Sequence, residues 1–328
     1  MTLVDIKNTG KKLQKGKANL EVFSETLIRL AKENTDIIAV TSDSRGSGKL
    51  VPFAEQLPDQ IVEVGIAEQN LVGVAAGLAS AGKKTFAVSP ACFLTARSLE
   101  QIKNDVAYSD FPVVLVGISA GVSYGALGST HHSTHDVAVL RAIHNIDIVV
   151  PADNFETEET IIAAVKATKP LFIKFGKKAM PTLPRKEQTF EMGKASTICE
   201  GNDIAFIACG ETVAPAYEAA LLLEEKGFSV EVISMHTIKT LDEAAVLTAA
   251  KKCKAVITVE EHSINGGLGE ACASLLMQNN IFKPFKIVGI PDEETATGSQ
   301  VEIFEHYNIS CKGLAEMARV LLKKKLLP

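Results

Sequence analysis

Glu63-Val64-Gly65-Ile66-Ala67-Glu68-Gln69-Asn70 decides how this chain is read. A short run, Val62-Glu63-Val64, leads into it, and Leu71-Val72-Gly73-Val74-Ala75-Ala76-Gly77-Leu78-Ala79 follows. The first run reads as a strand, the second as a buried helix whose small residues permit close packing. One carboxylate, Glu68, therefore stands at a strand-to-helix turn in an apolar segment. An acid there either complements the helix N-terminus or performs chemistry.

Working outward, short apolar runs alternate with longer helical patterns, the signature of parallel α/β architecture. Strands are expected at 37–41, 61–64, 85–88, 113–118, 146–150 and 171–175, with helices at 20–32, 68–81, 94–108 and 157–167. Thr157 and Thr160 with Glu156, Glu158 and Glu159 suit a helix start. The stretch 177–193 carries Pro181, Pro184 and charge without periodicity, and reads as a linker. The pattern then restarts, with strands expected at 204–209, 229–235, 255–260 and 286–290 and helices at 213–226, 242–251, 267–278 and 313–324; Asp242 suits an N-cap. The expected organisation is a tail over 1–17, a domain over 18–176, a linker over 177–194 and a second α/β domain over 195–328.

The chain has 328 residues, enough for two domains with ample cores. At 46% hydrophobic and 22% charged, with a net charge of −5, it has no basic footprint for nucleic acid. Lys11, Lys12, Lys15 and Lys17 read as a solvated tail, and Lys323-Lys324-Lys325 as the last turn of a helix, where cations favour the dipole. Six cysteines lack any Cys-x-x-Cys spacing and read as reduced core thiols. With no apolar signal core and no run approaching a membrane span, a cytoplasmic protein is expected.

The stretch from Glu63 to Asn70 resembles the signature around the catalytic glutamate in the pyrimidine-binding domain of transketolases. Further blocks agree in order: Thr41-Ser42-Asp43-Ser44, Arg97-Ser98-Leu99-Glu100-Gln101-Ile102, and Gly125-Ala126-Leu127-Gly128-Ser129-Thr130-His131-His132. So do Val149-Val150-Pro151-Ala152-Asp153, Thr258-Val259-Glu260-Glu261-His262 and Gly266-Gly267-Leu268-Gly269-Glu270. The resemblance implies a thiamine-diphosphate-binding parallel-sheet domain followed by a transketolase C-terminal α/β domain. It also implies that Glu68 pairs with the cofactor's aminopyrimidine, favouring the tautomer that takes the thiazolium proton. No Gly-Asp-Gly occurs in the chain. The diphosphate and its divalent metal, Mg or Ca, are therefore expected on a partner subunit carrying that motif, in a heterotetramer of two copies of each chain.

The other site residues follow from the same resemblance. Phe93 is the candidate for stacking on the aminopyrimidine, although an ordinary core Phe fits as well. Asp43 matches an acid near the thiazolium, or caps a turn after a strand. Ile66 is counted among the cofactor contacts and, with Ala67 and Leu71, is expected to wall Glu68 from water. His131, and with it His132, would handle substrate hydroxyls. A metal site from His131, His132, His135 and Asp136 lacks clean ligand spacing, so no metal is assigned to this chain; Ser133 or Thr134 capping a helix from 136 is the plain alternative. Leu127 stands in the region where the family has a sugar-reading aspartate, Ser119 replaces a histidine, and Lys177 or Lys178 replaces an arginine. Lysine meets a phosphate as a point charge and not as a fork. These departures point to ketol transfer on a branched or modified ketose phosphate. The rivals are a 2-oxo acid dehydrogenase β subunit, a deoxyxylulose-phosphate-synthase-like enzyme, and a subunit without turnover.

Overall fold

The computed structural model describes residues 13–185 and 188–323. Its first half runs β1 (Lys15–Ala18), α1 (Asn19–Glu33), β2 (Ile37–Thr41), α2 (Val51–Gln56), β3 (Ile61–Glu63), α3 (Glu68–Ser80), β4 (Lys84–Pro90), α4 (Ala91–Arg97), the one-turn α5 (Leu99–Gln101), β5 (Val114–Ile118), α6 (Asp136–Ala142), β6 (Asp147–Val149), α7 (Asn154–Lys166), β7 (Leu171–Lys174) and β8 (Ala179–Pro181). The second half runs β9 (Ser196–Cys199), β10 (Ile204–Ala208), α8 (Val213–Glu224), β11 (Val230–Ser234), β12 (Thr237–Lys239), α9 (Glu243–Lys252), β13 (Ala255–Ser263), α10 (Leu268–Gln278), β14 (Phe285–Ile290), α11 (Gln300–His306) and α12 (Cys311–Lys323).

Two mostly parallel sheets result. The first has the order β6-β7-β5-β4-β2-β3, all parallel, and takes β12 from the second half antiparallel against β6. The second has the parallel order β14-β13-β10-β11, with β9 antiparallel at its edge. Strands β2, β5, β7, β10 and β11 are buried along their whole length, and β2, β5 and β10 are the near-continuous apolar runs that a sheet covered on both faces demands. One apolar cluster runs through both halves, joining Ile148 and Phe172 to Ile207, Ile238 and Val246.

Local chemistry explains where elements depart from the sequence pattern. The single helix expected at 94–108 is broken: the Ser98 hydroxyl bonds back to the Leu94 carbonyl, and Ile102–Tyr108 widens into a π-helix. Helix α7 starts earlier than 157, because Asp153 caps it by accepting the Glu156 N–H at 3.1 Å. Ala179–Pro181, inside the 177–194 stretch, pairs antiparallel with Lys15–Ala18, so Lys15 and Lys17 lie in a strand; Lys11 and Lys12 fall outside the described residues. Arg185 is buried in an ion pair with Asp153 and Glu156, which fastens this stretch to the start of α7. Lys323 closes α12, while Lys324 and Lys325 lie outside the described residues. Cys92, Cys209, Cys253 and Cys272 are buried free thiols. Among the described residues no helix is long and apolar enough to cross a membrane.

Candidate active site

Glu68 is the first residue of α3 and is only 4% exposed. The preceding turn is built by Gly65, whose φ of +73° suits glycine, and by the Glu63 carboxylate. That carboxylate accepts the Gly65 N–H at 3.0 Å and the Asp43 N–H at 2.7 Å. Asp43 thus stands at the carboxyl end of β2, exposed, with a left-handed φ of +51°, braced against the turn that presents Glu68. Both Glu68 oxygens lie 3.0 Å from Arg97 Nη1. The Arg97 guanidinium lies 4.2 Å from the Phe93 ring centroid, the two residues being one turn apart on α4.

A row of rings continues from there. Phe93 meets His131 edge-on at 5.3 Å, His131 meets Tyr124 edge-on at 5.3 Å, and Lys177 Nζ sits 4.3 Å over Tyr124. The row thus begins and ends on a cation. Beside it lies a cavity of about 530 Å³, within the range of small-molecule sites, lined among others by Phe93, Arg97, Ser129, His132, His135 and Glu294. His131 is half-buried, with Nδ1 2.9 Å from the Thr130 hydroxyl. His132 is buried and its Nε2 lies 2.9 Å from the Gly125 carbonyl. A nitrogen facing a carbonyl must carry the proton, so His132 Nδ1, which has no hydrogen-bond partner among the described residues, presents a lone pair. Burial also lowers the His132 pKa, keeping the ring neutral.

Two expectations change, and one alternative falls away. Ile66 does not wall Glu68: it is 74% exposed, because the turn projects it outward. The chain's own cover over Glu68 is the Arg97 ion pair. Ser119 does not line the cavity; the chain leaves β5 through a left-handed turn at φ +53° and encloses Ser119 at 1% exposure. Phe93 is no core phenylalanine but part of the cavity wall. Of the four groups in the metal reading, Asp136 is fully buried and paired with Lys174 at 2.9 Å; burial opposes ionisation, yet Lys174 and His262 hold its carboxyl below the usual range. The α6 N-cap is His135, while Ser133 donates to Asp136 at 2.8 Å and does not cap the helix. Among the described residues no group of three His, Cys, Asp or Glu is placed to hold a metal ion.

The family model for the transketolase pyrimidine-binding domain matches residues 15–182, and that for the transketolase C-terminal domain matches residues 193–314. The chain belongs to the transketolase family. It is 46% identical over 303 residues to an apulose-4-phosphate transketolase subunit of Phocaeicola vulgatus, covering 92% of this chain and 96% of that one. It is 32% identical to the 6-deoxy-6-sulfo-D-fructose transketolase subunit SqwH of Clostridium sp. strain MSTE9, over 93% and 94% of the two chains. Among solved structures it resembles a split-gene transketolase described as an inactive β4 tetramer, with TM-score 0.84 and 32% identity over 95% of this chain and all of that one.

Transketolases depend on thiamine diphosphate, and this transketolase chain fits the cofactor's aminopyrimidine end. It offers a buried carboxylate reachable past a half-exposed arginine, an aromatic ring beside it, and exposed apolar surface at Ile66. Sequence reasoning missed three contributors: Arg97 as the Glu68 partner, Tyr124 in the ring row, and the wall formed by Glu293, Glu294 and Thr295 of the second half. The i,i+4 spacing of Phe93 and Arg97 was the available signal for the first. No local pattern carries the third.

Proposed function

We propose that this chain is the C-terminal subunit of a two-chain transketolase, moving a two-carbon ketol unit from a ketose phosphate to an aldose phosphate. The observation that carries the reading is Glu68: a buried carboxylate at the start of an apolar helix, turned toward Arg97 and Phe93 beside a ligand-sized cavity. When bound, thiamine diphosphate supplies the nucleophilic carbon that accepts and hands on the ketol unit. With the cofactor in place, Glu68 would hold a proton between its carboxylate and the aminopyrimidine nitrogen, Phe93 would stack on that ring, Ile66 would cover it, and Asp43 would face the thiazolium end. His131 donates to and accepts from substrate hydroxyls, and the His132 Nδ1 lone pair accepts one. Lys177, without an acidic partner among the described residues, meets the phosphate.

The partner in this reading carries Gly-Asp-Gly and holds the diphosphate with Mg or Ca. Two copies of each chain make a heterotetramer in the cytoplasm, and this chain alone has no turnover. The relative described as an inactive β4 tetramer supports that dependence. The sugar is a branched or modified one: relatives are named for apulose-4-phosphate and 6-deoxy-6-sulfo-D-fructose. Leu127, 55% exposed, occupies the region where the family places an aspartate. The test is co-purification with the candidate N-terminal subunit and a thiamine-dependent assay over a ketose phosphate panel. Turnover needing both chains, cofactor and Glu68 supports the proposal. A complex that processes pyruvate and no ketose overturns it.

A further inference from the structure

Two carboxylates of the second half enter the first half at the ends of its strands. Glu261, on β13, accepts the Val122 N–H at 2.8 Å. It packs so closely on Gly121 that a Cβ there would come within 2.3 Å of the Glu261 Cδ. Glu211, in the turn after β10, fills the matching space at Gly176, where a Cβ would fall 1.5 Å from its Oε1. Gln300 of α11 bridges the pair, its Nε2 donating to Glu211 Oε2 and to Glu261 Oε1, each at 2.7 Å. Gly121 follows β5 and Gly176 follows β7, neighbouring parallel strands, so the pair sits at their carboxyl ends, where α/β sheets present their sites.

Above the pair runs the loop from 119 to 133 that carries His131 and His132. It closes on itself at Ser133, whose N–H donates to the Gly121 carbonyl at 2.7 Å. Lys174 secures both ends of the arrangement, donating to the Glu261 carbonyl at 3.2 Å and to the Ser133 carbonyl at 3.4 Å. We propose that Glu261 is a positioning residue for the substrate loop: by holding the Val122 N–H it sets where His131 and His132 stand, and Glu211, bridged to it by Gln300, makes that hold depend on whether Glu261 carries its proton. The inference rests on the reading of this loop as the one that faces the sugar.

Two buried carboxyls bridged by one amide cannot both ionise without cost. Burial, and then repulsion from Glu211, pushes Glu261 up to about 8, with Lys174 pulling the other way. Burial raises Glu211 as well, against Gln300, Lys178 and Lys174. Asp136 faces Lys174 from α6 and takes up part of its charge, and Cys209 also lies against Lys174. Near neutral pH Glu261 keeps its proton. Once that proton leaves, Glu261 becomes the stronger acceptor for the Val122 N–H, which favours its charged form, and the loop is held more tightly.

The test is hydrogen exchange of the 119–133 segment in the full chain between pH 7 and 9, corrected for the intrinsic base-catalysed rate, together with the sugar KM and kcat of the two-chain enzyme. Glu261→Gln keeps an oxygen for Val122 and cannot ionise; Glu261→Ala removes the acceptor. In the wild type, protection of the loop should rise and KM fall about tenfold from pH 7 to 9, with kcat changing less. The Gln variant should be flat with pH, and the Ala variant weakly protected throughout. Wild-type pH dependence in Glu261→Gln, or wild-type protection in Glu261→Ala, overturns the proposal. Exchange that behaves as expected in an enzyme that turns over no ketose keeps the loop device and removes the sugar reading instead.

Discussion

Arg97 closes over Glu68, its Nη1 3.0 Å from both carboxylate oxygens, with the arginine side chain 48% exposed and the glutamate 5%. The pair joins the first turn of α3 to the last turn of α4. It gives a buried carboxylate a counter-charge that water can still reach, and a ligand entering from that side meets both groups at once.

Replacing Glu68 with Gln removes the carboxylate on which the proposed mechanism rests and keeps its shape. Turnover of the two-chain enzyme should fall by about 10²–10⁴-fold, the size of a lost acid–base group, while the circular dichroism of the chain stays the same. Wild-type turnover in this variant would take Glu68 out of the chemistry.

Arg97 should behave as a fork and not merely as a charge. Arg97→Lys places one ammonium where the guanidinium also stacks on Phe93, so activity should drop about tenfold. Arg97→Leu leaves the buried Glu68 charge without a partner and should cost more activity and lower the melting temperature of the free chain. Equal activity in the Lys variant and the wild type would show that the stacked geometry is dispensable.

How much of this was legible in the sequence differs between elements. The strands around Glu68 announce themselves because a parallel sheet covered on both faces demands uninterrupted apolar runs, as at Ile37–Thr41 and Val114–Ile118. The short strand Thr237–Lys239 does not, since its place beside Asp147–Val149 depends on a contact between halves that no local pattern encodes. The same limit governs the site. Glu68, His131 and His132 are readable from one segment each. Glu261, in the sequence no more than part of the block from Thr258 to His262, gains its meaning only once the second sheet delivers it beneath Gly121.

In the proposed function Lys177 meets the sugar phosphate and Leu127 stands where the sugar is read. Lys177→Ala removes the cation above Tyr124 and should raise KM for a ketose phosphate about tenfold, with little change for the unphosphorylated ketose. Leu127→Asp restores an acid on an exposed loop position, so folding should be unaffected and preference should move toward unbranched ketose phosphates. Unchanged ratios of kcat/KM across the panel would show that Leu127 does not read the sugar.

Stability should decline on the alkaline side. Burial pushes Glu260 up to about 7, against the Gly269 and Leu268 N–H groups that donate to it, and burial with Glu211 pushes Glu261 up to about 8. Both start from an ordinary value of 4.5, so the folded state holds these protons more tightly than the unfolded one. Their contribution is full below about 4.5 and is lost as pH climbs through 7 and 8. His262 acts in the opposite sense: burial lowers it to about 4, so its contribution is present above 6.5 and fades as pH falls toward 4. The imidazole therefore offsets part of the decline below 6.5 and none of it above. The melting temperature should fall on the order of 5 °C between about pH 6.5 and 8.5. Glu261→Gln should flatten that limb while leaving the acid limb set by His262 in place, which scanning calorimetry of the two proteins across the pH range will show; parallel alkaline limbs would mean that Glu261 is ionised throughout.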